Sequence, residues 1–210
     1  MHNVLTLWYK LVIKSNTVGN SFLAVYADDF IAGFQYKEDA ERYYALLKER
    51  LKKFNLELEE SKSRLIEFGQ YAETNTRRKY GKKAETFDYL GFTFYCGKGK
   101  KTGRFCVKIK TNIKKFQQKL KQTKEWLYQN KDLRVKELIA KLNKKLIGHY
   151  RYYGVSHNIN KLSAFLHFVQ RYLFKVLNRR SHKKSYLWDG YIEMLKVYPL
   201  AKPKIYVRLF

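Results

Sequence analysis

The sequence contains no run of about 20 uninterrupted apolar residues, and its start does not follow the basic, apolar, small-residue order of a secretory signal. Both absences argue against a membrane-spanning helix and against export, so residence in a bacterial cytoplasm or an organelle is expected. Only two cysteines occur, Cys96 and Cys106. They are too few for a disulfide framework, and too few for a zinc quartet unless histidines join them, so reduced core or hairpin cysteines are expected. His149, His157 and His167 lack ligand spacing and acidic partners, which points to core, cap or surface roles. No internal repeat is found. Acidic residues are few: 18 Asp and Glu stand against 44 Lys and Arg, for a formal charge of +26. That imbalance points to a polyanionic partner, with nucleic acid the obvious candidate.

The imbalance is uneven. Residues 1–95 hold 15 basic and 13 acidic residues, whereas residues 96–210 hold 29 and 5. Nearly the whole positive field therefore belongs to the second half, and two units are expected, a near-neutral one over 1–95 and a phosphate-holding one over 96–210. The 45% hydrophobic content supports an ordered core, and the 17% aromatic content sets the chain apart from a disordered basic tail.

Periodicity predicts an α+β chain. Phe22–Tyr26 and Phe30–Phe34 are short apolar arms around Ala27, Asp28 and Asp29, the pattern of a tight hairpin. Ala40, Tyr43, Tyr44, Leu47, Leu51 and Phe54 recur at helical spacing, with Glu38 and Asp39 in the first turn and Asn55 as a stop. Leu65–Phe68 reads as a strand, and Tyr71–Lys83, rich in Thr, Asn, Arg and Lys, as a surface loop. Phe87–Cys96 and Arg104–Lys110 read as arms around a Gly- and Lys-rich turn. Three helices follow: one from Ile113 to Leu127, one capped by Asp132 and ending at Gly154, and one over about Asn160–Arg180. They are expected to pack as a bundle, before a tail that is irregular apart from a short helix near Tyr191–Leu195.

Asp28 and Asp29 are adjacent like charges at a hairpin tip, and a fold that keeps both normally offsets them with a cation. One reading is a solvated Asp-Asp turn. The other is a Mg²⁺ site, in which strand geometry holds hard oxygen ligands ready to clamp the attacking and leaving oxygens of a phosphoryl transfer.

"YADDF" between apolar arms, then "LELEESKSRLIEFG", "FDYLGFTF" and "LNKKLIGHYRYYG", in this order and spacing, resembles the group II intron reverse transcriptases, or intron maturases. The resemblance covers nearly the whole chain. It implies a partial polymerase palm over 1–95, built of antiparallel hairpins and a packed helix, followed over 96–210 by a hairpin and an all-α, basic, three-helix thumb or maturase-specific region. It makes Tyr26, Ala27, Asp28 and Asp29 the polymerase signature, with Asp28 the main Mg²⁺ ligand and Asp29 its neighbour. By the same resemblance Lys62 approaches the incoming triphosphate, unless it is only an exposed lysine. Leu90, Gly91 and Phe92 resemble the last palm motif near the primer end, unless Gly91 merely relieves crowding in a strand.

The implied partners are structured intron RNA and an RNA template–DNA primer duplex. The residues expected to contact phosphate are Lys144, Lys145, Arg151, Arg171, Lys175, Arg179, Arg180, Lys183 and Lys184, with Tyr152 or Tyr153 as stacking partners. The family draws another aspartate from an earlier palm strand, yet residues 1–27 contain no Asp or Glu. The expectation is therefore a chain that begins partway through a palm, does not polymerise alone, and either takes the missing half from a separate chain or acts as a stand-alone RNA-binding or splicing factor. No appended Cys- and His-rich nuclease domain is expected.

Overall fold

The computed structural model describes residues 2–99, 102–180 and 185–209, which form two compact units, 1–68 and 69–210. In the first unit the N-terminal segment is a widened helix, π-helical over His2–Leu7 and Tyr9–Ile13, and tightens into a 3₁₀ turn at Lys14–Asn16. Leu5, Tyr9 and Ile13 line its buried face and meet Tyr43, Leu47 and Leu51 of helix α1 (Lys37–Lys52) in one core. Each of the leucine and isoleucine side chains, fully removed from water, contributes about 1.5–3 kcal/mol.

Strands β1 (Ser21–Tyr26) and β2 (Asp29–Phe34) pair antiparallel, from Ser21 opposite Phe34 to Tyr26 opposite Asp29. The two-residue side-chain period sends Leu23, Val25, Phe30, Ala32 and Phe34 to the core and leaves Phe22 and Tyr26 exposed on the other face. The Phe22 ring lies across Gly33 opposite it, in space that a Cβ would occupy. Asp39, at the start of α1, is buried and accepts hydrogen bonds from the Val18 and Gly19 amides at 3.0 and 3.3 Å, tying the approach to β1 onto the helix. Its role is thus wider than the first-turn charge that sequence suggests. The expected stop at Asn55 holds, with its backbone in the left-handed region at φ 54°. Leu65–Phe68, expected as a strand, is irregular: the sheet of this unit is two-stranded, and the segment is not one of its strands.

In the second unit, the expected loop after Tyr71 is instead helix α2 (Ala72–Tyr80). Only Ala72 is buried in it, so no apolar period marks it; an i,i+4 pair between Glu73 and Arg77 at 3.6 Å supports it locally. The single arm expected over 87–96 is two strands, β3 (Phe87–Tyr89) and β4 (Phe92–Lys98), which join β5 (Phe105–Thr111) in an antiparallel sheet of order β3-β4-β5.

Helices α3 (Ile113–Gln129), α4 (Val135–Tyr153) and α5 (Ile159–Asn178) form the expected bundle. Phe116 meets Phe165 and Tyr128 meets Arg179, so α3 and α5 run parallel. Lys145 lies over Trp126 and His149 stacks on Phe165, which sets α4 against both in the opposite sense. Asn112, not a residue of the helix itself, caps α3 by accepting from the Lys114 and Lys115 amides. Asp132 does not cap α4, which begins after Arg134 without a side-chain cap; its charge acts on Arg180 instead. The tail is more ordered than expected. Helix α6 (Trp188–Val197) seats Tyr191 in the core, where its hydroxyl donates to the Gln170 carbonyl at 2.8 Å.

Candidate metal hairpin and nucleic-acid interface

The β1–β2 connection is a two-residue loop, Ala27 and Asp28. Ala27 sits at φ 51°, while Asp28 keeps a negative φ, the sign pattern of a tight primed turn. The strand alternation that buries Val25 and Phe30 therefore projects Asp28 and Asp29 into solvent at the tip, beside the exposed Tyr26 ring. Neither carboxylate has a hydrogen bond or an ion pair among the described residues. Both are hard oxygen donors with no cation in contact, which suits a divalent ion such as Mg²⁺ that keeps several waters. No third His, Cys, Asp or Glu joins them into a cluster among the described residues.

Lys62 is exposed and pairs with Glu59 at 2.6 Å. That bond holds its ammonium above the ordinary lysine range, and the Asp29 charge adds a smaller push in the same direction. The structure thus brings Lys62 toward the hairpin tip but gives its charge to Glu59.

Leu90 and Gly91 are the two loop residues between β3 and β4, at φ 49° and 77°. Both signs are positive, as a type I′ turn requires, so Gly91 is a turn residue and not a strand residue. Phe92 opens β4. Tyr152, on the last turn of α4, donates from its hydroxyl to the Leu90 carbonyl at 2.9 Å and stacks on the Phe92 ring at 5.9 Å with planes 10° apart.

The candidate phosphate contacts lie on the helices. Lys144, Lys145, Arg151, Arg171 and Lys175 are exposed. Lys145 rests over the Trp126 ring, and Arg179 over Tyr128 while donating to its hydroxyl at 2.9 Å. Arg180 differs: two of its guanidinium nitrogens are buried without a hydrogen-bond partner among the described residues. Burial lowers its pKa, against the opposing pull of Tyr186 and Asp132. Lys183 and Lys184 lie outside the described residues. Tyr153 is 5% exposed, its ring engaged by Phe92 and His149, so it presents no face to a base.

Residues 1–94 match the family described as reverse transcriptase (RNA-dependent DNA polymerase), and residues 113–191 match the group II intron, maturase-specific domain. The chain belongs to the group II intron reverse transcriptase and maturase family. No curated protein and no solved structure matches it. Membership in a group II intron reverse transcriptase family implies metal use at the polymerase site and binding of nucleic acid. Among the described residues no helix is long and apolar enough to cross a membrane.

Sequence reasoning missed a buried polar knot beside the Leu90–Gly91 turn. Asn158 is fully buried; it accepts from the Thr111 amide at 2.9 Å and donates to the Thr111 hydroxyl and the Tyr153 carbonyl, both at 2.8 Å. Asn112 donates to Asp88 at 2.7 Å, and its amide donates to the Gly91 carbonyl at 2.9 Å. The only sequence signal was a run of polar residues flanking apolar helices, which ordinarily reads as caps.

Proposed function

We propose that this chain supplies the metal-binding hairpin and the RNA-binding helices of a group II intron reverse transcriptase and maturase, and that it does not polymerise alone. The observation that carries the reading is the tight hairpin that exposes two unpaired carboxylates, Asp28 and Asp29, at its tip. Asp28 is the main Mg²⁺ ligand and Asp29 its neighbour. Bound there, Mg²⁺ supplies the charge neutralisation that nucleotidyl transfer needs at the attacking and leaving oxygens. Tyr26 and Ala27 shape the tip, Lys62 reaches toward the incoming triphosphate, and Leu90, Gly91 and Phe92 lie at the primer end.

In function the chain divides into a palm portion over 1–95 and a thumb or maturase-specific portion over 96–210. Lys144, Lys145, Arg151, Arg171, Lys175, Arg179 and Arg180, with Lys183 and Lys184, hold the phosphates of structured intron RNA and of a template–primer duplex, in a bacterial cytoplasm or an organelle. A two-metal centre needs more carboxylates than this pair, so fingers and an earlier palm strand from outside residues 1–210 are needed to complete it. Primer extension tests this. The purified chain with Mg²⁺, primed RNA and deoxynucleotides should make no product; adding the missing segments in trans should restore synthesis, and Asp28→Asn should abolish what is restored. Extension by the chain alone would refute the reading.

The 29 basic against 5 acidic residues over 96–210 support a second reading, a stand-alone RNA-binding or splicing factor. RNA binding or splicing with no rescue of synthesis in trans would favour it.

A further inference from the structure

Leu90 is an unusual residue for its place. A type I′ turn favours Asn, Asp or Gly, because both central residues take the left-handed region, where a Cβ crowds the backbone. Leu90 sits there at φ 49°. A strained residue persists when its surroundings over-determine it, and such strain gathers at functional positions. Here the surroundings are specific. Both turn carbonyls are occupied, Leu90 by the Tyr152 hydroxyl at 2.9 Å and Gly91 by the Asn112 amide at 2.9 Å. A Cβ added at Gly91 would stand 3.2 Å from the Tyr153 hydroxyl.

The exposure of Tyr152 separates its role from core packing. Tyr153 fills the core at 5% exposure, whereas Tyr152 is 55% exposed, yet it lays its ring on Phe92 and directs its hydroxyl to a carbonyl 62 residues away in sequence. The turn belongs to the stretch that matches reverse transcriptase and Tyr152 to the stretch that matches the maturase domain. One face of its ring is taken by Phe92.

We propose that Tyr152 is a positioning residue: from the maturase-specific helix α4 it holds the Leu90–Gly91–Phe92 turn in the conformation that receives the primer end. This rests on the assignment of that turn to the primer end. α4 also carries Lys144, Lys145 and Arg151, so RNA held by the helix and the primer turn share one rigid element.

Tyr152→Phe removes the hydroxyl and keeps the ring. Two readouts on the full chain separate the possibilities: amide hydrogen exchange across 90–92 and 112, and photo-crosslinking from a reactive 3′-terminal primer nucleotide in an RNA–DNA duplex. Faster exchange at the turn, with a severalfold drop in crosslinking to 90–92 and duplex affinity within twofold of wild type, is the expected result. Tyr152→Trp, which keeps an N–H donor on a flat ring, should recover part of the crosslink. Unchanged exchange in Tyr152→Phe overturns the clamp itself. Changed exchange, with no crosslink to the turn even in wild type, overturns the primer-end assignment and with it the positioning role.

Discussion

His149 shows how a single side chain sets a pH limit on the bundle. It stacks on Phe165 at 3.9 Å with planes 15° apart, and its Nε2 is buried without a partner among the described residues. Burial, with Lys119 adding to it, pulls its pKa down to about 4 from the usual 6.5. The folded chain therefore refuses a proton that the unfolded chain accepts between those values. Stability is undiminished above about pH 6.5 and falls as pH drops toward 4, by up to about 3 kcal/mol. His149→Phe should flatten that decline when urea midpoints are compared at pH 7 and pH 4.5; parallel declines in the two proteins would refute it. At this scale the sequence was informative where neighbours in sequence decide the environment. Asp28 and Asp29 were legible because their own strands flank them, and His149 because its position repeats the α4 core period. Tyr152 was not, since its hydroxyl partner is set by the turn of a different strand pair.

Among elements, the junction of sheet and bundle depends on a few buried amides. Asn158 precedes α5, fixes the end of β5 through Thr111, and takes the Tyr153 carbonyl at the end of α4. Asn158→Ala leaves the buried Thr111 amide without its acceptor, while the Tyr153 carbonyl keeps the Val155 amide at 2.9 Å, at a cost of about 2 kcal/mol. Thermal or urea unfolding of the variant measures it, and a loss below 1 kcal/mol would mean that water replaces the side chain. Helices α1, α3, α4 and α5 were legible because apolar residues recur on one face of each. Helix α2 was not, having one buried residue and no stripe. The 87–96 arm hid a turn because Leu90 carries no turn signal, and only Gly91 hinted at it. Leu65–Phe68 has strand composition but joins neither sheet, and composition alone does not report sheet membership.

For the whole molecule, the charge asymmetry predicts how RNA binding responds to salt. α5 contains no acidic residue, and α3 contains one, Glu125, which lies 4.0 Å from Lys121. With little internal neutralisation, the cations release counterions when they meet phosphate, and log affinity should fall with log salt by roughly 0.9 per duplex phosphate neutralised. Replacing Arg171 and Lys175 together by Gln should reduce the slope by about 2. An unchanged slope in filter-binding titrations would remove them from the interface.

Phe92 lies near the end of the stretch that matches reverse transcriptase and also packs on the helical core that contains Tyr153 and Leu162. The end of the first matched region thus shares a hydrophobic interior with the second, and residue 94 is not a boundary between exchangeable cassettes. A gene break placed in the interval between them would strand Phe92 and its turn on one product and their lining on the other. Inheritance of the β3–β4 turn and of the maturase helices is thereby linked by packing, and substitutions in one should be tolerated only alongside compensating changes in the other.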